Sequence, residues 1–314
     1  MVKAQTTLLF PGQGSQKVGM GAELARAFPA AQRVFDEADD ALGERLSRTM
    51  FEGPKDILTL TRNAQPAILV GSIAVLRALE AERPLSYAWA AGHSLGEWTA
   101  LVAAGAIDFA DAVRLVRLRG EAMQSAVPAG VGAMAAIIGL SAKDVDKLCF
   151  EAATGNQLCT AANYNGAGQI VIAGHAPAVE RAVGLATARG AKLVKLLDVS
   201  APFHTALMAP AADAVARALV DVPLRDPRVP VVANVDAEPS RTAERVREAL
   251  VRQVSSPVRW EASMHRLVAE GVHAGLELGS GNVLAQLARR VSPTLRVTAI
   301  GEPNEVQAYL QRQG

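Results

Sequence analysis

Short apolar runs alternate with longer helical patterns along the chain, and this alternation is what most restricts its fold. TTLLF at 6–10 predicts a buried strand that ends in the loop PGQGSQ, and residues 65–82 predict a helix. SYAWAAGHS at 86–94 predicts a second strand running into a tight turn, after which LGEWTALVAAG continues as a helix ending near Gly105. Strands that alternate with helices in this way are typical of an α/β fold with a mainly parallel sheet.

A separate unit is predicted between residues 128 and 198, where the elements follow the order β-α-β-β-α-β. This is the order of a ferredoxin-like domain. Pro177 near the start and Gly190 just past the end punctuate its second helix. We therefore expect an α/β catalytic domain formed by residues 1–127 and 199–314, with a small ferredoxin-like subdomain, residues 128–198, inserted into it. A cleft is expected where two such domains join.

Composition excludes several classes of function. The chain has 32 Lys and Arg against 31 Asp and Glu, a net charge of +1, which gives no support to nucleic acid or a membrane surface as partner. Cys149 and Cys159 have neither CxxC spacing nor a histidine cluster, so we expect reduced thiols and no metal site. The N-terminal apolar run is too short for a signal peptide, and no uninterrupted apolar run is long enough for a membrane span. A soluble, cytoplasmic protein is expected.

The segment Gly92-His93-Ser94-Leu95-Gly96 lies where the second strand meets its helix. In a strand-to-helix turn this sharp, glycine is needed at both ends, and the serine hydroxyl is presented at the carboxyl end of the sheet. Ser94 is therefore predicted to be a nucleophile, with the backbone N–H of Leu95 placed to bind an oxyanion. The alternative is a glycine-rich turn that only ends a strand.

A serine nucleophile needs a base, and the chain offers five histidines. His204 follows an apolar strand and Pro202 and opens a helix in the large domain, which suits a catalytic base best. His93, although next to the serine, is expected to face away from it and to pack locally. The alternative for His204 is a capping or partly exposed histidine.

The loop Gly12-Gln13-Gly14 follows the first strand but lacks the G-x-G-x-x-G spacing of a dinucleotide site. Because such a loop leaves a strand next to the nucleophile, the backbone N–H of Gln13 is predicted to be a second oxyanion donor.

Arg114, Arg117 and Arg119 share one helical segment. An arginine that faced the nucleophile would bind a substrate carboxylate through two hydrogen bonds. Periodicity alone does not decide which arginine does so, and for any one of them a solvated surface position is the alternative.

Seven motifs in one order resemble those of a known family: PGQGSQ, QPAI, GHSLGE, RLRGEAMQ, AANYNGAGQIVIAG, VSAPFHTALM and GSGNVL. The chain resembles the malonyl-CoA:acyl-carrier-protein transacylases, relatives of the acyltransferase domains of polyketide synthases. The resemblance runs from about residue 6 to residue 300. It implies an α/β-hydrolase-like core with a ferredoxin-like insert, in agreement with the organisation predicted above.

The resemblance also implies a Ser-His dyad and the roles of matching residues. Ser94 would accept the acyl group, His204 would be its base, and Arg119 would bind the malonyl carboxylate. The remaining roles are these: oxyanion-binding backbone N–H groups of Gln13 and Leu95, a histidine-orienting main-chain carbonyl of Gln253, and a cleft-lining position at Asn165.

The same resemblance implies malonyl-CoA as substrate, no cofactor, an acyl carrier protein as transient partner, and a monomer in the cytoplasm. Phe203 precedes the histidine where fatty-acid transacylases often carry serine. A ring there resembles malonyl-selective polyketide acyltransferases and would exclude a methyl branch on the substrate. The pathway served, fatty-acid or polyketide synthesis, stays open.

Three other functions remain as alternatives. A thioesterase or acyl hydrolase on the same turn would need a carboxylate to orient the histidine, and Asp198 is the only one close before His204. A malonyl-transferring subunit of a malonate decarboxylase would share the chemistry. A docking or scaffold subunit would not be an enzyme.

Overall fold

The computed structural model of the chain describes residues 5–199 and 201–313. Its strands are β1 Gln5–Phe10, β2 Trp89–Gly92, β3 Gly132–Ile138, β4 Cys159–Gly166, β5 Gln169–His175, β6 Leu193–Leu196, β7 Val231–Val232, β8 Pro239–Ser240, β9 Val272–Leu278 and β10 Arg296–Ile300.

The helices lie between these strands and after the last one. They are α1 Ala22–Ala27, α2 Pro29–Leu42, α3 Leu46–Glu52, α4 Lys55–Thr59, α5 Thr61–Glu82, α6 Leu95–Ala103, α7 Phe109–Ser125, α8 Ala142–Ala152, α9 Ala176–Ala188, α10 Ala209–Leu219, α11 Ala243–Ser255, α12 Trp260–Ala269, α13 Val283–Val291 and α14 Pro303–Gln313. A 3₁₀ turn, Ala206–Met208, precedes α10.

The larger sheet has the strand order β10-β9-β1-β2-β7-β8. Its pairs are parallel except for β7 with β8. Leu8, Leu9 and Phe10 of β1 are completely buried, as expected of a central parallel strand with helices on both faces. The predicted α/β fold with a mainly parallel sheet is confirmed. Because β1 and β2 are parallel neighbours, Phe10 pairs with Gly92 and both strands deliver their following loops to one edge.

The smaller sheet is antiparallel, with the order β4-β5-β3-β6. With α8 and α9 packed on it, it has a core of its own, in which Ile137, Leu148 and Ile172 are fully buried. This is the ferredoxin-like unit predicted from the sequence. The exact boundaries at 127/128 and 198/199 stay a prediction, and residues 1–4, Ser200 and Gly314 within those bounds lie outside the described residues.

Backbone hydrogen bonds tie the smaller sheet to the larger unit. Tyr164 N–H donates to the Val258 carbonyl and Val258 N–H donates to the Ala162 carbonyl, each at 2.9 Å, which extends β4 by a parallel bridge. The end of β4 is thereby held beside the segment that links α11 to α12. This attachment places one wall of the cleft found at the carboxyl edge of the larger sheet.

Helix α5 forms the centre of the larger core, packed against α2, α6 and α7. Among the described residues, α5 is the one helix long and apolar enough to cross a membrane, although its sequence contains Arg62 and Arg77. Its most apolar window is 83% buried inside the protein. A core helix of a soluble protein meets the same criteria, so this is weak evidence for a span.

Candidate active site

The turn between β2 and α6 has the geometry that the sequence predicts. A Cβ atom on Gly92 would lie 2.0 Å from the Gly96 carbonyl, and one on Gly96 would lie 2.0 Å from the Phe10 carbonyl, so neither position tolerates a side chain. Ser94, between them, has φ 50° and ψ −104°. A positive φ is uncommon for a residue with a side chain and marks a strained turn. In this conformation Ser94 lines the cavity at the carboxyl edge of the larger sheet.

His204 contacts this hydroxyl directly: its Nε2 lies 2.7 Å from Ser94 Oγ. The other ring nitrogen, Nδ1, lies 3.0 Å from the main-chain carbonyl of Gln253. Because a carbonyl can only accept, Nδ1 must carry the ring proton, which leaves Nε2 free to accept the proton of Ser94. His204, and not His93, is therefore the histidine hydrogen-bonded to Ser94 in a form that can accept its proton.

The Gln253 carbonyl is available because it lies in the last turn of α11, which ends at Ser255. The last four carbonyls of a helix have no partner within the helix. His204 fills this position while only 4% exposed. Burial, together with the charge of Arg119, lowers the pKa of His204 to about 3, so the imidazole is neutral at physiological pH and ready to accept a proton.

The structure resolves which of the three arginines of α7 faces the site. Arg114 pairs with Asp111 at the surface and Arg117 pairs with Glu44. Arg119 is 1% exposed, and its Nη2 donates to Ser94 Oγ over 3.1 Å. It is therefore the arginine that can meet a substrate bound at Ser94.

Two glutamines hold the Arg119 guanidinium in place. Gln65 Oε1 accepts from Nη1 at 2.6 Å, and Gln253 Oε1 accepts from Nη2 at 2.9 Å. No carboxylate pairs with Arg119 among the described residues. Burial lowers its pKa to about 10, which still leaves it charged. A buried cation whose hydrogen-bond partners are two neutral amides and a neutral hydroxyl is suited to binding an anion from outside.

The predicted oxyanion donors lie at the same edge of the sheet. Leu95 is the first residue of α6, and its N–H is one of the helix's unpaired N-terminal donors. Gln13 lies in the loop after β1, which approaches the turn so closely that a Cβ on Gly12 would be 2.6 Å from the His93 carbonyl. Both Gln13 and Leu95 line the cavity beside Ser94, as a pair of N–H groups binding one oxygen requires.

The cavity has a volume of about 340 Å³ and lies between the two sheets. The residues of its walls include Ser94, His204, Arg119, Gln13, Leu95, Gln65, Met123 and Phe203 from the larger unit and Met134, Asn163, Leu197 and Asp198 from the smaller sheet and the segment after it. Phe203, 7% exposed, lines the cavity beside His204, and its role in limiting the acyl group stays a prediction. Asp198 lines the wall, but His204 Nδ1, the atom that an orienting carboxylate would bind, is bound to the main-chain carbonyl of Gln253.

Asn165, predicted to line the cleft, contacts a residue of the cavity wall. Its Oδ1 is 2.8 Å from His93 Nε2, and it is absent from the residues that line the cavity, where Asn163 appears instead. Residues two apart on a regular strand share a face. β4 is irregular on both sides of this pair, between Ala161 and Asn163 and between Tyr164 and Gly166. The ring of His93 lies 5.5 Å from that of Trp260 at a tilt, and His93 also lines the cavity.

Three buried side chains near the site were not predicted as functional: Glu97, Asn234 and Gln65. Asn234 Oδ1 accepts the Ser94 N–H at 2.6 Å, and its Nδ2 donates to the Gly92 carbonyl at 2.8 Å. Glu97 is the only charged residue of helix α6, and a single charge among mainly apolar residues is the feature of the sequence that could have indicated a functional role. Nothing in the sequence around Asn234 points to the turn, which lies about 140 residues earlier.

Other features of the described residues offer less chemistry. A wider, open depression of about 1040 Å³ between α2 and α3 has mostly charged walls, and its Ser47 hydroxyl is bound to Asp39. Cys149 and Cys159 are buried free thiols. In the part of the chain that the structure describes, no group of three or more His, Cys, Asp and Glu residues is placed to hold a metal ion.

Comparison with known proteins agrees with this geometry. Residues 7–312 match the model of the acyl transferase domain family. The chain is 48% identical over 307 residues to the malonyl CoA-acyl carrier protein transacylase of Escherichia coli K12, covering 98% of this chain and 99% of that protein.

Solved structures give the same picture. The acyl-carrier-protein S-malonyltransferase of Bartonella henselae superposes with a TM-score of 0.95 at 49% identity, covering 98% of this chain and 99% of that one. A malonyl-transacylase solved in complex with a type II PKS acyl-carrier protein superposes with a TM-score of 0.95 at 45% identity, covering 98% and 100%. A match over nearly the whole chain, on a fold with a serine–histidine pair in its cleft, shows that this protein belongs to the acyl transferase domain family.

Proposed function

We propose that the protein transfers a malonyl group from malonyl-CoA, through an ester on Ser94, to the phosphopantetheine thiol of an acyl carrier protein. The observation that carries the proposal is one hydroxyl with two partners: Ser94 Oγ lies 2.7 Å from a neutral imidazole and 3.1 Å from a buried guanidinium. The imidazole of His204 can accept the serine proton during acyl transfer, and the guanidinium of Arg119 can bind an acyl group that carries a carboxylate. The names of the relatives, which are malonyl transferases acting with an acyl carrier protein, support the same reaction.

In the first half-reaction, His204 Nε2 takes the proton of Ser94 as Oγ attacks the thioester carbonyl. The carbonyl oxygen becomes an oxyanion that accepts hydrogen bonds from the backbone N–H groups of Gln13 and Leu95. One such donor typically contributes about 3 kcal/mol to the transition state. The C–S bond then breaks, the CoA sulfur takes the proton from His204, and malonyl-Ser94 remains.

The second half-reaction is the reverse with another thiol. His204 removes the proton of the phosphopantetheine thiol, the thiolate attacks the ester carbonyl, and the same N–H groups bind the oxyanion. When the C–O bond breaks, Ser94 Oγ recovers its proton from the imidazolium. One base therefore serves both steps, as expected for ping-pong transfer.

Arg119 supplies the selectivity for malonyl in this proposal. A guanidinium can bind both oxygens of a carboxylate through two parallel hydrogen bonds, and in a buried site these bonds exclude competing water. The bond from Arg119 to Ser94 in the free protein is replaced by bonds to the malonyl carboxylate, so that the substrate separates arginine from nucleophile. Holding the acyl group at both ends keeps its carbonyl in one pose for the incoming thiol.

The thioesterase alternative has less support. A hydrolase with this turn would orient its histidine with a carboxylate, whereas His204 Nδ1 lies against the Gln253 carbonyl and Asp198 lies on the cavity wall. The buried Arg119 also has no role in the hydrolysis of a neutral acyl ester. No observation favours the decarboxylase subunit or the docking subunit.

Both half-reactions are completed by groups of this chain and two thiols, so malonyl-CoA enters as a substrate and the proposal includes no cofactor. We place the reaction in the cytoplasm, where CoA thioesters and carrier proteins occur, and expect the protein to act as a monomer.

Intact-protein mass spectrometry tests the proposal. Incubation with malonyl-CoA should add one malonyl group, peptide mapping should place it on Ser94, and addition of holo acyl carrier protein should remove it and malonylate the carrier. Ser94→Ala is the matched control and should stay unlabelled. Stoichiometric labelling of that variant, or steady release of free malonate with no thiol present, would refute the assignment.

A further inference from the structure

Glu97 is a buried carboxylate that touches neither the cavity nor the reacting atoms in the proposed mechanism. It lies in the first turn of α6, three residues after Ser94, and is 2% exposed. We propose that Glu97 is a positioning residue that must be ionised for the site to be aligned, because it fixes Gln253 and Asn234 and, through them, His204, Arg119 and Ser94. The inference rests on the proposed role of Ser94 as nucleophile.

The contact with Gln253 decides how that amide is oriented. Glu97 Oε2 accepts from Gln253 Nε2 at 2.8 Å, and the same Nε2 donates to the Ser94 carbonyl at 2.9 Å. An ionised carboxylate can only accept, so it requires the NH₂ end of the amide on its side. The oxygen end must then face Arg119, where Oε1 accepts from Nη2. Ionised Glu97 and the Ser94 carbonyl thus together favour the amide orientation whose oxygen holds the arginine.

The contact with Asn234 reaches the nucleophile from the other side. Glu97 Oε2 also accepts the backbone N–H of Asn234 at 2.8 Å. The side chain of Asn234 bonds to the Ser94 N–H and to the Gly92 carbonyl, at the two ends of the strained turn. One carboxylate oxygen therefore anchors both neighbours that fix the backbone of Ser94. Its position at N3 of α6 also favours a negative charge, because the helix N-terminus is positive.

Several groups act on the ionisation of Glu97. Burial is the largest influence and raises its pKa to about 7; the hydrogen bonds from Asn234 and Gln253 and the charge of Arg119 lower it, and Asp236 raises it further. His204, with a pKa lowered to about 3, and His93, whose pKa burial also lowers, stay neutral near pH 7. A loss of activity on acidification through neutral pH would therefore come from Glu97 and not from the base.

The test measures the reactivity of Ser94 without relying on malonyl transfer. A small, uncharged fluorophosphonate forms a bond between Ser94 Oγ and phosphorus, fluoride leaves, and His204 takes the serine proton. The labelling rate is measured by mass spectrometry from pH 4.5 to 8.5 on the wild type and on Glu97→Gln, which keeps the size and removes the charge. The matched control is Glu277→Gln, since Glu277 is also fully buried, accepts two backbone N–H groups, from Leu284 and Ala285, and also has a pKa raised by burial.

The wild-type rate should fall as the pH drops through about 7, following the pKa of Glu97. Glu97→Gln mimics the protonated form, so at pH 8 it should label about ten- to a hundredfold more slowly than the wild type, as expected for one lost charge-assisted hydrogen bond. Its rate should also be independent of pH and equal to the acid plateau of the wild type. Glu277→Gln should keep the wild-type profile even where its melting temperature falls.

Two results would overturn the inference. One is a Glu97→Gln profile with the same shape as the wild type, whatever its melting temperature. The other is a wild-type profile that is flat between pH 5 and 8, which decides the matter even where Glu97→Gln fails to fold. A protein whose labelling follows the expected profile but which forms no malonyl adduct would refute the proposed function and leave the inference standing.

Discussion

Arg119 donates a hydrogen bond to the hydroxyl of Ser94 over 3.1 Å, while Gln65 and Gln253 hold the same guanidinium from behind. The cation therefore contacts the proposed nucleophile in the free protein. A carboxylate on the acyl group offers Arg119 a charged acceptor in place of the neutral hydroxyl, whereas an acetyl group offers it none. The selectivity of the site can accordingly be tested by comparing these two acyl groups.

Replacing Arg119 by Ala should lower malonyl transfer by more than about a hundredfold, because a buried carboxylate left without its partner costs about 3–5 kcal/mol. Acetyl transfer should stay equal or improve, because an acetyl group has no carboxylate that loses its partner and the pocket becomes less polar. Arg119→Lys should recover part of the malonyl activity only, because an ammonium cannot make the planar two-bond contact. The rates of Ser94 acylation by malonyl-CoA and acetyl-CoA, measured in parallel, check this.

Arg114→Ala, at the exposed arginine of the same helix, is the control and should leave both rates unchanged. An equal fall of both acyl rates in Arg119→Ala would mean that Arg119 supports the fold, and the selectivity argument would be lost.

Replacing His204 by Ala should slow acylation of Ser94 and transfer to the carrier alike, by about 10²- to 10⁴-fold, because the two steps share one general base. Single-turnover measurements of each half-reaction test this. His265→Ala, at an exposed histidine of α12, should have no effect. If His93→Ala instead caused the loss and His204→Ala did not, the assignment of the base would be reversed.

Phe203 should reject a methyl branch on the malonyl group, because its ring lies in the cavity next to His204. Wild-type protein should load methylmalonyl-CoA poorly, and Phe203→Ser should relax that preference by no more than about 1–3 kcal/mol, the range for one methyl group. The ratio of kcat/KM for the two thioesters is the measurement. Phe150→Ser, at a phenylalanine that is 83% exposed, is the control. Equal loading of both thioesters by the wild type would remove the basis of this role.

The buried Glu97 and His204 should affect stability in opposite directions. The pKa of Glu97 is raised from 4.5 to about 7, so its contribution to stability is complete below pH 4.5 and is lost as the pH rises through 7. The pKa of His204 is lowered from 6.5 to about 3, so its contribution is present above pH 6.5 and is lost as the pH falls towards 3. In the wild type the two trends should largely cancel between pH 4.5 and 6.5.

Glu97→Gln should expose the histidine's trend alone, so that the free energy of unfolding falls on acidification, by at most about 3 kcal/mol. Urea unfolding of wild type and variant at pH 8 and pH 5 measures this. The Glu97→Gln protein should gain stability relative to the wild type as the pH is raised. A difference between the two that does not change with pH would show that Glu97 does not titrate in this window.

Sequence reasoning was most successful where the backbone pattern is local. The strand before Ser94, the glycines on either side of it and the helix after it lie within a few residues, so their geometry could be predicted from the sequence. The ferredoxin-like unit was predictable for the same reason, because its six elements follow one another without interruption. The roles of Ser94, His204 and Arg119 came from the family resemblance together with this pattern.

The sequence could not supply what depends on contacts between distant segments. Three arginines share α7, and only the packing of α5 against α7 shows that Arg119 is the one turned inward. Asn163 and Asn165 lie two apart on β4, yet Asn163 lines the cavity while Asn165 bonds to His93. The hydrogen bond from the Ser94 N–H to the Asn234 side chain joins residues from opposite halves of the chain, and no local sequence pattern predicts it.

Ser94 and His204 both have backbone conformations that favour glycine, with φ of 50° and 60°. Each conformation costs about 1–3 kcal/mol relative to relaxed backbone. Glycine would relieve this cost with little loss of packing at Ser94, whereas at the buried His204 it would also leave a destabilising cavity. A laboratory selection for heat tolerance alone would therefore favour inactive clones with glycine at position 94. A selection for higher thermal stability of this protein therefore needs to measure the acylation of Ser94 together with the thermal stability of each variant.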